Sequence, residues 1–150
     1  IELLVVIAII GILSGIVLSS LNTARNKGAD AAIKGDLGGA RAQAELYYAG
    51  NSNSYNGVCG VTAAADGTKS INAQVEAARV ANGTATALHV TLATAGGGLT
   101  ATCPDNTTVG WAAEAPLKAS TVLVPSLYCV DSTGAAKTNA AVLAANAVTC

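Results

Sequence analysis

The sequence predicts an α+β chain. A long N-terminal α-helix, apolar and protruding over its first half and amphipathic over its second, packs against a small antiparallel β-sheet head. Three observations carry this. Leu3 to Ala24 hold 22 residues without a formal charge. No proline interrupts residues 1–50, and an amphipathic repeat follows the apolar run. Beyond Gly50 the chain turns to loop formers and short alternating segments.

The apolar run comes first. As a helix it spans roughly 33 Å, about the hydrocarbon thickness of a bilayer. A cleavable secretory signal fits poorly, because no basic segment precedes the run and no A-x-A site closes it. Gly11 and Gly15, with Ser19 one step on, form the small-xxx-small pattern that lets helices approach closely. Glu2 stands just ahead of nine apolar or small residues, where a carboxylate is costly unless paired or neutral. No Lys or Arg lies near it in sequence, so its partner has to come from another chain or from an amino end.

The helix continues through residues 25–50. Ile33, Leu37, Ala40, Ala44 and Tyr47 recur at spacings of 4, 3, 4 and 3, one face of a helix. Asp30–Lys34 and Arg41–Glu45 are spaced as i,i+4 ion pairs on the polar face. A helix of about 50 residues is on the order of 75 Å long, whereas a 100-residue domain has a radius of gyration of ~13 Å. The front half must therefore find burial in lipid or in copies of itself. The chain divides into residues 1–24, the apolar half; 25–50, the amphipathic half; and 51–150, a globular head.

Within the head, GNSNSY at residues 50–55 ends the long helix. Residues 71–81 read as a short helix closed by Asn82-Gly83. Residues 86–94, 108–117, 122–131 and 135–139 read as strands, with a turn at Asp131-Ser132-Thr133-Gly134. Tyr47, Tyr48, Trp111 and Tyr128 are expected between helix and sheet. Cys59, Cys103, Cys129 and Cys150 are an even set confined to the head, which points to disulfides in an oxidising compartment. A zinc site is disfavoured, since there is no C-x-x-C and no His at ligand spacing. The preferred pairing is Cys59–Cys103, tying the loop after the helix to the sheet, with Cys129–Cys150 pinning the tail. Cys103–Cys129 with Cys59–Cys150 stays open.

Composition removes several functions. Charged residues are 11% of the chain and the net charge is −1, so no basic face exists to neutralise a run of phosphates. No nucleic-acid partner is expected. His89 reads as a structural histidine. GGG at residues 96–98 opens no helix and lacks the lysine of a phosphate loop. The Asp131 turn is a hairpin before it is a calcium ligand. Asn82-Gly83-Thr84 and Asn106-Thr107-Thr108 fit the N-glycosylation triplet, a pattern common by chance. The titratable residues of the head show no catalytic spacing, and no cofactor or metal is expected.

The segment IELLVVIAIIGILSGIVLSSLNTAR resembles the N-terminal segment of bacterial type IV pilins and of the related type II secretion pseudopilins. In that family a prepilin peptidase cuts after a glycine, the new N-terminal residue is methylated, and a Thr-Leu-Ile-Glu-Leu-like run follows. Ile1-Glu2-Leu3-Leu4-Val5-Val6 matches that run, so a basic leader ending in Gly and a Phe-Thr-Leu-like start are expected upstream of Ile1. The match is strong over about 25 residues and continues through the amphipathic half. Trp111 to Gly134 is similar, more loosely, to the end of some bacterial pilins. Many family members carry a proline midway along the apolar half; here Ser19-Ser20 lies in that region.

The resemblance implies the pilin fold and a structural subunit, not an enzyme. Such a subunit waits in the cytoplasmic membrane and is assembled by dedicated machinery into a helical filament of identical copies on the cell surface. Adhesion, motility and DNA uptake are the roles it implies. Glu2 matches the family glutamate that pairs with the methylated amine of a neighbouring subunit. The alternatives are a pseudopilin of a secretion or competence system and a monomeric membrane-anchored binding domain.

Overall fold

The computed structural model describes residues 2–60, 64, 66–83, 87–89, 99–103, 110–144 and 147–150; the side chains of residues 2 and 87–89 lie outside that description. Helix α1 runs Glu2–Gly50, 49 residues without a break, or ~74 Å. Its end is built from local chemistry. Ser52 and Asn53 take φ of 56° and 57°, and the amides of Asn51 and Asn53 donate to the Tyr48 carbonyl at 3.2 and 3.0 Å. The Asn51 side-chain amide holds the turn by donating to the carbonyls of Ser54 and Asn56, both at 3.0 Å. A side chain at Gly50 would collide with the Asp66 carboxylate.

Helix α2, Asn72–Asn82, buries Val75, Ala78 and Asn82 and stops at Gly83, whose φ of 72° lets its amide donate back to Val80. The strands are β1 (Ala87–His89), β2 (Thr100–Thr102), β3 (Ala112–Pro116), β4 (Leu127–Asp131) and β5 (Ala136–Asn139). They form one sheet in the order β1-β2-β3-β4-β5. Strands β2 to β5 pair antiparallel. β1 pairs with β2 in parallel, which departs from the wholly antiparallel sheet expected.

Other boundaries also move. β2 was not expected. β3 occupies only 112–116 of the 108–117 segment, of which 108 and 109 lie outside the described residues. The 122–131 segment gives strand only from Leu127, because the Thr121 amide turns back to the Val124 carbonyl at 3.0 Å and Pro125 offers no amide to a ladder. Of the 86–94 segment, 87–89 is strand and the rest lies outside the described residues.

The core sits between α1, α2 and one face of the sheet. Ile33, Leu37, Ala40, Ala44 and Tyr47 are buried along α1, against Val58, Ile71, Val75, Trp111, Ala113, Ala115 and Val130. Tyr48 and Tyr128 pack on its margin. Alternation along β3 and β4 sends Ala112 and Cys129 to the opposite face, where Leu143, Ala147 and Cys150 of the C-terminal segment cover them. Cys59 is bonded to Cys103, just beyond β2, and Cys129 to Cys150.

Three charged side chains on α1 contact the head. The Lys118 amide donates to Asp30 Oδ1 at 2.7 Å. Lys34 Nζ lies 5.6 Å from the centre of the Tyr128 ring. The Tyr55 hydroxyl donates to Glu45 Oε1 at 2.8 Å; burial first, and then the Glu45 carboxylate, push that phenol up to about 12. The i,i+4 ion pairs expected on α1 are absent among the described residues, where Glu76 pairs instead with Arg79 on α2.

Candidate assembly surface

The first half of α1 projects free of the head. Residues 3–28 are exposed on every side, and burial begins at Ala29. Thirteen large apolar side chains from Leu3 to Leu21 keep 45–77% of their surface open. By length and composition this helix is able to cross a membrane, and none of its most apolar window is buried in the chain.

Gly11 and Gly15 have no atom within 4 Å of where a Cβ would sit. Nothing within one copy therefore requires glycine at either place. Ser19 lies a turn further on, with its carbonyl accepting a hydrogen bond from Thr23 Oγ1 at 3.3 Å. Ile10, Leu13, Ser14, Val17 and Leu18 line a shallow apolar groove along the rod. Glu2 opens the helix, and its side chain lies outside the described residues. On one rod the structure thus presents Gly11, Gly15, Ser19 and a continuous apolar coat. A comparison with protein-family models, with curated proteins and with solved structures gives no match to this chain.

The head offers different chemistry. Asp131, nearly fully buried, accepts four hydrogen bonds: the Thr133 hydroxyl at 2.7 Å, the amides of Thr133 at 2.9 Å and Ala135 at 3.0 Å, and the Cys150 amide at 2.7 Å. Burial pushes its carboxyl up, but these donors together outweigh that and hold it below the usual range. Its role is structural: it locks the β4–β5 turn and anchors the disulfide-bonded tail. Among the described residues no three His, Cys, Asp or Glu side chains gather to hold a metal. The His89 side chain, the 96–98 glycines, the 106–108 triplet and Thr84 of the other triplet lie outside the described residues.

Two features of the head escaped the sequence reading. Glu114 is fully buried on β3, facing the C-terminal segment. Its Oε1 accepts the Leu143 amide at 2.8 Å, while its Oε2 and Thr102 Oγ1, its cross-strand neighbour, have no partner. Burial raises its pKa to about 7, against the smaller lowering from the Leu143 bond. The signal was a lone acid in the otherwise uncharged AAEAP. The second feature is the loop after β3. There Val122, Leu123 and Val124 stand 71%, 91% and 69% exposed.

Proposed function

We propose that this chain is a structural subunit, a pilin. Stored in a membrane through residues 3–24 of α1, it polymerises into an extracellular helical filament of the type IV pilus kind that serves adhesion, motility or DNA uptake. The observation that carries the reading is the division of one helix into two environments. Its C-terminal half buries a full apolar stripe in the head, while thirteen large apolar side chains of its N-terminal half stay 45–77% exposed. At ~1.5–3 kcal/mol for a whole side chain, and with 45–77% of each still open, roughly 10–25 kcal/mol of potential burial is unused by a lone chain in water. Only lipid or other copies of the rod supply it.

Both environments serve, in sequence. Lipid tails and helix surfaces are similarly apolar, so moving from one to the other changes the free energy little, and an external motor has to drive extrusion. Identical copies added head to tail without closure give an open filament. Gly11 and Gly15 let neighbouring rods approach closely. Glu2 sets the register, because its carboxylate is tolerable among apolar rods only beside a positive group, and the amino end of an adjacent copy supplies one. The likeness of residues 1–25 to pilin N-terminal segments supports the same reading.

The test is Glu2→Gln or Glu2→Ala in cells that assemble the filament. Membrane insertion stays normal, and electron microscopy of sheared surface material shows few or no fibres. Undiminished fibre yield removes Glu2 from assembly. Short pieces confined to the envelope of wild-type cells, in place of long fibres, identify a pseudopilin instead.

A further inference from the structure

Three contacts fix how the head sits along the rod. The Lys118 amide bonds to Asp30, the Tyr128 ring lies beside Lys34, and a Cβ at Gly134 would lie 3.2 Å from Arg41 Nη2. Strand β4 therefore runs alongside α1 in the same direction, and the loop joining β3 to β4 lies at the end of the head where the bare rod emerges. Stepping back from Tyr128 to Val124 covers four residues, at most ~13 Å of extended chain. Stepping back along α1 from Lys34 to Arg25 covers nine residues and about the same length. The tip of the loop thus reaches toward the level of Arg25, one residue beyond the charge-free run.

That tip is apolar and ordered by its own bonds. Val122, Leu123 and Val124 are exposed, with Ala119 and Thr121 beside them. The Thr121 amide donates to the Val124 carbonyl at 3.0 Å, and the Val124 amide to Thr121 Oγ1 at 2.9 Å. Behind them the Ser126 amide donates to Ser120 Oγ at 3.0 Å, and the Leu117 amide to the Ser126 carbonyl at 2.8 Å. At the tip the Val124 amide and carbonyl are therefore already paired, which lowers the cost of moving that residue out of water. Arg25 and Lys27, both exposed, add positive charge at the same level of the rod, complementary to anionic headgroups.

We infer that the Val122-Leu123-Val124 tip is a second lipid contact, which inserts into the outer boundary of the bilayer crossed by the rod and fixes the tilt and rotation of the head before assembly. The occupant is a lipid surface because the tip continues the apolar coat of α1 at the level where that coat ends and positive side chains begin. This rests on the membrane-stored state proposed above.

The full chain is reconstituted in vesicles of phosphatidylethanolamine and phosphatidylglycerol with brominated acyl chains, as Leu123→Trp and, separately, Ile10→Trp. Wild-type emission, from the fully buried Trp111, supplies the background. Seated ~5–10 Å below the headgroups, the tryptophan at position 123 loses about half its emission to the bromolipid and is shielded from aqueous acrylamide. Quenching at position 10 with none at position 123 overturns the loop contact and leaves the spanning rod intact. Protection at position 123 that appears only in assembled fibres assigns the tip to a neighbouring copy and also overturns it. Absence of quenching at both positions removes the membrane-stored state, and the loop contact with it.

Discussion

Glu114 makes the stability of the head depend on pH between about pH 5 and 8. Its carboxyl is held at about 7 against an ordinary 4.5, with burial as the cause. A carboxyl raised by folding favours the folded state fully below its unfolded pKa, and that contribution is lost as pH rises through the folded value. The whole change is worth roughly 3 kcal/mol, of which about 2–3 kcal/mol falls between pH 5 and 8. Asp131, Asp66 and Glu76 are all lowered, so they destabilise the fold only on acidification below that window. At a typical urea dependence of ~1–2 kcal/mol per molar, the urea midpoint of the head falls by about 2 M from pH 5 to pH 8.

The assay is urea unfolding of the full chain in detergent, followed by the emission of Trp111, which has no exposed surface in the fold. Glu114→Gln is the control. It keeps an oxygen to accept the Leu143 amide now bonded at 2.8 Å, and it cannot ionise. Its midpoint lacks the fall of about 2 M that Glu114 adds from pH 5 to 8 and overtakes that of the wild type at the alkaline end. Parallel curves for the two chains would refute the argument, since no other described group in the head is raised toward neutrality.

Three further outcomes are expected. Leu37→Ala, at a fully buried site, costs ~2–5 kcal/mol in the same unfolding assay, whereas Leu46→Ala, at a 60% exposed site on the same helix, stays within about 0.5 kcal/mol. Paired Cys→Ala replacement removes roughly 4 kcal/mol for Cys59–Cys103 and roughly 3 kcal/mol for Cys129–Cys150, following their separations of 44 and 21 residues; a reversed order speaks against chain entropy as the source. Gly11→Ala with Gly15→Ala leaves the helix intact by circular dichroism in detergent, because neither Cβ meets an atom, yet lowers fibre yield; normal yield would show that rods do not meet there.

Where one period repeats over many residues, the sequence was readable. The apolar run and the stripe from Ile33 to Tyr47 each repeat over several turns, and the structure leaves the first bare and buries the second. Gly83 ends α2 because only a left-handed residue returns its amide to Val80. Short strands were less legible. β2 has three residues, Thr100–Thr102, too few to show an alternation. Val122-Leu123-Val124 looks like strand because a β-rich apolar triplet is ambiguous locally; the Thr121 turn and Pro125 decide against it. The ion pairs expected on α1 failed for a tertiary reason. Asp30, Lys34 and Glu45 face the head and find an amide, an aromatic ring and a phenol there, each more specific than an exposed pair worth a few tenths of a kcal/mol.

The glycines of α1 join the fold to the proposed function. Gly11, Gly15, Gly28, Gly35, Gly38 and Gly39 all sit inside one unbroken helix, and none has an atom within 4 Å of its missing Cβ. Together they oppose helix formation by about 6 kcal/mol. In residues 29–50 the head compensates by burying Ile33, Leu37, Ala40, Ala44 and Tyr47. In residues 3–24 no head is present; in the membrane-stored state proposed above the medium compensates instead, because in lipid a backbone has no water to bond and stays helical regardless of propensity. Beyond the span, Gly28, Ala32, Gly35, Gly39 and Ala42 recur at spacings of 4, 3, 4 and 3 and are exposed, on a face turned away from the buried stripe. One copy gains nothing from a narrow, uncovered face that weakens its own helix. In the filament proposed above a bundle of copies does, because small residues set how closely two rods approach. Under that proposal the cost in the isolated subunit and the benefit in the assembly fall on the same residues.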